Sequence, residues 1–191
     1  MAAPLVWING HPGAGKFTVA KTMASRDPRV LVIDNHSLID PVAKRLGPNS
    51  RDHPDYQKFR KAERDRVFQE YVLDPSFRDR IIVFTDFQSY SDIGPSVAHE
   101  YKAVAQEADR PFLPYHLQCD FEENMERALS QERMESDTTK LTDGKLLASI
   151  LANEDPYMFP ESQRIRATCK PPDEVARLIL SDCHQHVGSS S

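Results

Sequence analysis

Cysteine is scarce in this sequence, and the three that occur, Cys119, Cys169 and Cys183, show no C-x-x-C spacing. Neither a disulfide framework nor a cysteine-based zinc site is therefore expected. No run approaches the ~20 consecutive apolar residues of a membrane span, and no basic leader precedes an apolar segment near Met1. These absences favour a cytoplasmic protein that does not bind a membrane.

An excess of positive charge is also missing. The formal net charge is −5, with 24 Lys and Arg against 29 Asp and Glu. This balance argues against a nucleic-acid-binding protein, which would carry a basic excess. Basic residues do cluster locally, at Lys58, Arg60, Lys61, Arg64 and Arg66. Such a cluster is usually the solvated face of a helix, and binding of an anion remains the alternative.

The length of 191 residues and the hydrophobic content of 39% are typical of one globular domain. We expect this domain to cover residues 1–186 and the serine-rich residues 187–191 to form a disordered tail. A monomer and a homodimer are both compatible with the sequence.

Short apolar runs alternate with longer polar or amphipathic segments, a pattern typical of β-α units that build a parallel sheet. The predicted strands are 5–9, 30–34, 81–86, 112–118 and 164–168. The predicted helices are 16–25, 54–73, 95–109, 121–136, a short helix after Asp143 and a last helix from Pro171. Pro114 lies inside the fourth strand and favours an edge strand or a bulge there.

A glycine-rich segment follows the first strand and leads directly into the first helix. We refer to it as the phosphate loop; it consists of Gly10, His11, Pro12, Gly13, Ala14, Gly15, Lys16, Phe17 and Thr18. Glycines at a strand-to-helix turn allow backbone N–H groups to surround a phosphate, and the lysine reaches the β- and γ-phosphates. The usual pattern has Ser or Thr directly after the lysine, whereas this sequence has Phe17 there and Thr18 one residue later.

This loop resembles that of the adenylate-kinase-type P-loop kinases, whose pattern G-x-P-G-x-G-K-x-T also lacks the first hydroxyl. The resemblance implies an α/β, three-layer P-loop NTPase fold with a five-stranded parallel sheet and a helical lid, here about residues 137–160. It also implies ATP as the phosphoryl donor and Mg²⁺ held largely by phosphates and waters. Those kinases commonly have glycine where this chain has Phe17. The phenyl ring therefore either crowds the metal or packs into the core of the first helical turn.

Two carboxylates stand at ends of predicted strands. The strand 81–86 is similar to a Walker B strand, which implies that Asp86 anchors Mg²⁺ through water. Asp34 ends the second strand, where shikimate, gluconate and chloramphenicol kinases carry an acidic residue that faces the acceptor. Asp34 is therefore the candidate base, and capping of the next turn is the alternative. His36 either contacts the acceptor or has a structural role.

The resemblance also places the acceptor and lid residues. The acceptor region would be about residues 35–73, and an anionic acceptor would be bound there by basic side chains, for which the candidates are Arg51, His53, Arg60 and Arg64. Arg127 and Arg133 resemble the lid arginines that close over the transferred phosphoryl group. Ion pairing with neighbouring glutamates is the alternative for both.

The sequence carries no N-K-x-D motif in 168–172, the segment that would border the base, so ATP is expected rather than GTP. Three further segments, residues 34–36, 85–87 and 140–143, are similar to uncharacterised fungal and bacterial P-loop proteins. The function expected is that of an ATP-dependent kinase for a small acceptor bearing a hydroxyl or phosphate group. The alternatives are an ATP-binding module and a slow ATPase, both without acceptor chemistry.

Overall fold

The computed structural model describes residues 2–47, 50–91, 93–129, 144–168 and 170–188. Its strands are β1 (Leu5–Asn9), β2 (Val30–Asp34), β3 (Ile81–Asp86), β4 (Phe112–Gln118) and β5 (Gln163–Arg166). They form one parallel sheet in the order β2-β3-β1-β4-β5. Because the strands are parallel, their carboxyl ends meet at one edge of the sheet. The predicted five-stranded parallel sheet is confirmed.

Helices connect the strands and cover both faces of the sheet. They are α1 (Lys16–Arg26), α2 (Asn35–Leu46), α3 (Tyr56–Val67), α4 (Gly94–Glu107), α5 (Phe121–Ala128), α6 (Gly144–Asn153) and α7 (Pro172–Gly188). Shorter helical turns occupy Ser50–Asp52, Phe68–Val72 and Pro75–Phe77. No helix of the described residues is long and apolar enough to cross a membrane.

The core lies in two layers, one on each face of the sheet. Alternate residues of the fully buried β1 point to opposite faces, so Val6 contributes to one layer and Trp7 to the other. The first layer includes residues of α1 and α7, and the second includes residues of α2, α3 and α4. Strands buried on both faces have continuous apolar runs, which is why the sequence predicts β1 and β3 with the bounds observed. The three-layer α/β fold is confirmed.

Helix α2 is not predicted by the sequence pattern. Pro41 lies inside it, and an interior proline removes one backbone hydrogen bond and disfavours a helix by ~3 kcal/mol. Leu38 and Val42 are buried on the same side of α2, one turn apart, and their burial helps to stabilise the helix. The predicted helix 54–73 is also interrupted, because α3 ends at Val67 and a π-helical turn follows it.

The prediction that β4 is an edge strand or carries a bulge is wrong in its first part, since β4 lies between β1 and β5. Pro114 is opposite Trp7 of β1, whereas β5 pairs with β4 only from Tyr115 onward. At Pro114 the strand therefore has a paired strand on one side only. A proline is tolerated there for the same reason that it is tolerated at an edge.

The predicted lid, tail and single-domain bounds stay predictions. Residues 137–143 lie outside the described residues, and residues 144–153 form α6. The next segment is attached to the end of β3, since Tyr157 N–H donates to the Gln88 carbonyl at 2.7 Å and Ser89 bridges to Pro156. The last helix ends at Gly188, two residues into the segment predicted as tail, and residues 189–191 lie outside the described residues.

Candidate nucleotide and acceptor site

The phosphate loop is a tight connection between β1 and α1. An added Cβ at Gly10 would lie 2.4 Å from the Leu117 carbonyl oxygen, so only glycine lets the loop pass this close to β4. Gly15 occupies the N-cap position of α1 with φ 88° and provides no side-chain cap, and the first turn of α1 has no acidic residue. The amino end of α1 therefore presents backbone N–H groups and positive potential that suit an anion.

Lys16 folds back over this loop. Its ammonium donates to the carbonyl oxygens of Gly10 at 2.6 Å and His11 at 2.7 Å. These contacts hold the charge beside the amino end of α1. His11 is itself fixed, with its Nε2 2.8 Å from the Glu154 carbonyl and its ring centroid 5.7 Å from that of Phe87.

One cleft of about 1400 Å³ joins the phosphate loop to the carboxyl ends of β2 and β3 and to helices α2, α3 and α5. The candidate residues that line it are Pro12, Gly13, Gly15, Lys16, Phe17, Thr18, Asp34, His36, Arg51, Arg60, Arg64, Asp86 and Arg127. Ala14, also part of the loop, is buried. His53 is exposed and does not line the cleft; its Nδ1 accepts the Asp55 N–H at 3.1 Å. Arg133 lies outside the described residues.

Phe17 projects from the start of α1 into the cleft. It is 38% exposed, and the Lys21 ammonium lies 5.6 Å from its ring centroid. The alternative that Phe17 packs into the core is therefore wrong. Its ring stands at the cleft side of the loop, where the usual pattern would place a hydroxyl.

Asp34 is held by the neighbouring strand. The Thr85 hydroxyl donates to Asp34 Oδ1 at 2.5 Å, and the two residues are register partners in β2 and β3. Asp34 occupies the N-cap position of α2, but its side chain makes no capping hydrogen bond. The capping alternative is therefore wrong, and the carboxylate is oriented at the cleft by Thr85.

Asp86 lies at the end of β3 and is 1% exposed. Its Oδ1 accepts the Phe87 N–H at 2.8 Å and its Oδ2 accepts from Gln88 Nε2 at 2.9 Å. Buried Tyr101 lies close to this carboxylate, and burial followed by the negative charge of Asp86 raises the pKa of the phenol well above its ordinary value. The amide contacts fix both oxygens of Asp86.

The Asp86 carboxylate at the cleft fits Mg²⁺ held mainly by bound phosphates. No group of three or more His, Cys, Asp or Glu able to hold a metal occurs among the described residues. Mg²⁺ commonly keeps several waters and uses one or two carboxylates together with substrate phosphates. Asp86 would anchor such an ion through water, and the ion would neutralise charge on the phosphate oxygens.

The basic cluster on α3 divides into two sets. Arg60 is 5% exposed and Arg64 is 3% exposed, whereas Lys58, Lys61 and Arg66 are exposed. Residues four apart lie on one face of a helix, so Arg60 and Arg64 share the cleft side. The solvated-face interpretation is therefore wrong for these two arginines and right for the other three residues.

Both buried arginines have specific contacts. Arg60 Nη2 donates to Asn35 Oδ1 at 2.9 Å, and Arg64 Nε donates to Glu100 Oε2 at 2.8 Å. Burial opposes the charge of Arg64, but the Glu100 carboxylate keeps its pKa above the ordinary value. The first contact joins α3 to α2, and the second joins α3 to α4.

Arg127 on α5 makes the ion pair predicted as one alternative, and its role as a lid arginine stays a prediction. It forms an ion pair with Glu123 one turn earlier. It also lies beside the phosphate loop, because a Cβ added at Gly15 would be 3.7 Å from its Nη1. The guanidinium is therefore placed next to the loop by a carboxylate of its own helix.

Several polar residues that position this site are not predicted from the sequence: Asn9, Asn35, Thr85, Gln88 and Glu100. Asn9 Oδ1 accepts the Gln88 N–H at 2.9 Å, and Asn9 Nδ2 donates to the carbonyls of Gln88 and Tyr157 at 2.8 and 2.9 Å. A buried asparagine at the end of an otherwise apolar strand is a usable signal, since buried amides are almost always hydrogen-bonded. Glu100 gives no such signal because it lies in an ordinary amphipathic helix.

No protein-family model and no curated protein matches the chain. Among solved structures, the chain is similar to the Mycobacterium tuberculosis APS kinase in complex with AMPPNP and APS, with a TM-score of 0.60, 15% identity and coverage of 96% of this chain and 98% of that one. It is also similar to a Sinorhizobium meliloti gluconokinase, with a TM-score of 0.58, 18% identity and coverage of 96% and 93%. A Candida albicans thymidylate kinase is similar as well, with a TM-score of 0.59, 15% identity and coverage of 97% of this chain and 92% of that one. The chain has the fold of the P-loop small-molecule kinases.

Proposed function

We propose that this protein is an ATP-dependent phosphotransferase that moves the γ-phosphoryl group to a small metabolite bearing a hydroxyl or phosphate group. The observation that carries the proposal is the single cleft that joins the phosphate loop and Lys16 to Asp34 and the buried arginines of α3. A nucleotide and an acceptor can therefore meet in one space. The kinase fold supports the same class of reaction.

Each group in the cleft has a role that follows from its chemistry. The backbone amides of the phosphate loop and Lys16 would hold the β- and γ-phosphates, and Arg127 would balance charge that develops on the transferred group. Asp34 would take the proton of the acceptor hydroxyl while the oxygen of that hydroxyl forms a bond to the γ-phosphorus. The bond between that phosphorus and the β,γ-bridging oxygen breaks, and ADP leaves with the electron pair.

Phe17 favours a second candidate, a nucleotide-binding module without transfer, because its ring lies where a metal-binding hydroxyl is usual. Loss of one charge-assisted contact costs about 1.5–3 kcal/mol, whereas micromolar affinity corresponds to about 8 kcal/mol. Nucleotide binding should therefore survive Phe17 even where transfer would suffer. The two candidates differ in turnover and not in binding.

The test measures ADP release with ATP, with and without Mg²⁺, across a panel of hydroxylated and phosphorylated metabolites. ATP binding is measured separately by calorimetry. We expect turnover that requires both Mg²⁺ and one acceptor class. Binding without turnover for any acceptor would support the module, and turnover with water alone would support an ATPase.

Variants assign the roles. Lys16→Ala should abolish binding or turnover, and Asp34→Asn should lower turnover while ATP still binds. Lys58→Ala removes an exposed positive charge outside the cleft and serves as the control. Phe17→Ser should retain the fold and ATP affinity and sharpen the Mg²⁺ dependence. An Asp34→Asn variant with unchanged turnover would show that Asp34 is not the base.

A further inference from the structure

Asn124 of α5 is a buried residue whose side-chain amide has no hydrogen-bond partner in the described part of the chain. The residue is 0% exposed, and both its Oδ1 and its Nδ2 lack a partner there. Buried side-chain amides in proteins are almost always hydrogen-bonded, because a buried polar group without a partner destabilises the fold. In this structure the amide therefore adds no hydrogen bond that would stabilise the protein.

The amide lies against the phosphate loop, on the side away from the cleft. A Cβ added at Gly13 would lie 2.5 Å from Asn124 Oδ1, and Gly13 lines the cleft whereas Asn124 does not. Asn124 therefore does not reach a ligand in the cleft directly. Any effect of its amide on a bound phosphate passes through the backbone of the loop.

One N–H group that a phosphate would use is bonded inside the loop. The Ala14 N–H donates to the His11 carbonyl oxygen at 3.2 Å, and the Lys16 ammonium donates to the same oxygen at 2.7 Å. A phosphate that takes the Ala14 N–H turns this peptide unit toward the cleft. A peptide unit is planar and trans, so its N–H and C=O point in opposite directions. The Gly13 carbonyl of the same unit then turns away from the cleft, toward α5.

Both sides of this contact can adjust. Gly13 has φ +90° and carries no side chain, which gives its backbone more freedom to rotate than any other residue would have. The last torsion angle of an asparagine side chain is broad and roughly two-fold, so Nδ2 can take the position of Oδ1. A buried carbonyl needs a donor, and Asn124 Nδ2 is a donor that α5 holds in reserve at this place.

We propose that Asn124 is a positioning residue of the phosphate loop. When a polyphosphate binds, Asn124 Nδ2 donates to the Gly13 carbonyl and so holds the Ala14 N–H toward the anion. This role rests on the nucleotide binding contained in the proposed function, and it does not depend on transfer to an acceptor. Because the contact forms in the bound state, the amide contributes to nucleotide affinity and not to the stability of the free protein.

The test compares AMPPNP affinity, measured by calorimetry, with urea unfolding in the absence of nucleotide. We expect Asn124→Ala to weaken AMPPNP binding about 5- to 100-fold, the effect of leaving one buried carbonyl without a donor. The urea midpoint of this variant should be no lower than that of wild type, because the substitution removes an unpaired polar group. Gln106→Ala removes an exposed amide from α4 outside the cleft and should change neither quantity.

A second variant separates the amide from its volume. Asn124→Leu keeps the number of side-chain heavy atoms but has no donor, and it should weaken AMPPNP binding as Asn124→Ala does. Nuclear magnetic resonance of ¹⁵N-labelled protein follows the contact itself. The side-chain NH₂ signals absent from Asn124→Ala identify Asn124, and in wild type one of them should move to lower field when AMPPNP saturates the loop.

The outcomes separate this role from the proposed function. Equal AMPPNP affinity for wild type, Asn124→Ala and Asn124→Leu would overturn the role and leave nucleotide binding in place. A lower urea midpoint with unchanged AMPPNP affinity would make the amide purely structural and would overturn the role as well. If Asn124→Leu does not fold, Asn124→Ala decides. If wild type binds neither AMPPNP nor pyrophosphate, the proposed function fails, and the role of Asn124 fails with it.

Discussion

Replacement of Gly13 by alanine should destabilise the protein by bringing the phosphate loop into collision with α5. Gly13 has φ +90°, and an added Cβ would lie 2.5 Å from Asn124 Oδ1 and 2.8 Å from both the Asn124 carbonyl oxygen and Ala128 Cβ. The Asn124 carbonyl is backbone, so it cannot rotate away. Relief requires α5 to move, and Arg127 would move with it.

Gly47 provides a matched control. It has φ +88° at the end of α2, and an added Cβ there would meet nothing within 4 Å. Gly47→Ala should therefore cost only the backbone strain of a positive φ, about 1–3 kcal/mol. Gly13→Ala also places alanine at a positive φ and adds an overpacking cost of about 1–3 kcal/mol, which gives a total of about 2–6 kcal/mol.

Equilibrium urea unfolding of wild type, Gly13→Ala and Gly47→Ala measures these differences, with the slopes compared to check that unfolding remains two-state. ATP binding by calorimetry is measured on the same preparations. We expect Gly13→Ala to lose ATP affinity and Gly47→Ala to retain it. Equal destabilisation by the two substitutions would refute the close seating of α5 on the phosphate loop.

Two further predictions concern pH and stability. Burial, followed by nearby positive charges, lowers the pKa of His116 from 6.5 to about 4. Between these pH values the unfolded chain therefore binds more protons than the folded protein. The free energy of unfolding should fall by up to about 3 kcal/mol as the pH drops through this window. His116→Gln should flatten that slope in urea titrations from pH 7 to 4, and an unchanged slope would contradict it. The side-chain hydrogen bond from Arg29 holds the pKa of Asp27 well below its ordinary value, burial opposes this, and His184 contributes to it. Asp27→Asn should cost about 1.5–3 kcal/mol at pH 7. This cost should shrink as the pH falls below about 4, because the unfolded wild-type chain then binds a proton at Asp27 that the folded carboxylate does not bind. Equal stabilities at pH 7 would count against the contact.

The elements predicted best from the sequence are those fixed by local pattern. The phosphate loop combines a buried strand, glycines and a helix start within one short segment, and β1, β2 and β3 have continuous apolar runs that end in polar residues. The convergence of Asp34 and Asp86 follows from the same pattern, because parallel strands that end in carboxylates place them at one edge of the sheet. Helix α2 was not predictable in this way, since Pro41 argues against it locally, whereas the burial of Leu38 and Val42 that helps to stabilise it is a tertiary effect.

The state of the α3 arginines depends on partners that are distant in the sequence. Arg60 contacts Asn35, 25 residues away, and Arg64 contacts Glu100, 36 residues away. Spacing shows that the two arginines share a face, but it does not show that one has a carboxylate partner and the other an amide. That difference in partner, and not the local excess of positive charge, determines that Arg64 is held by an ion pair and Arg60 by a neutral amide.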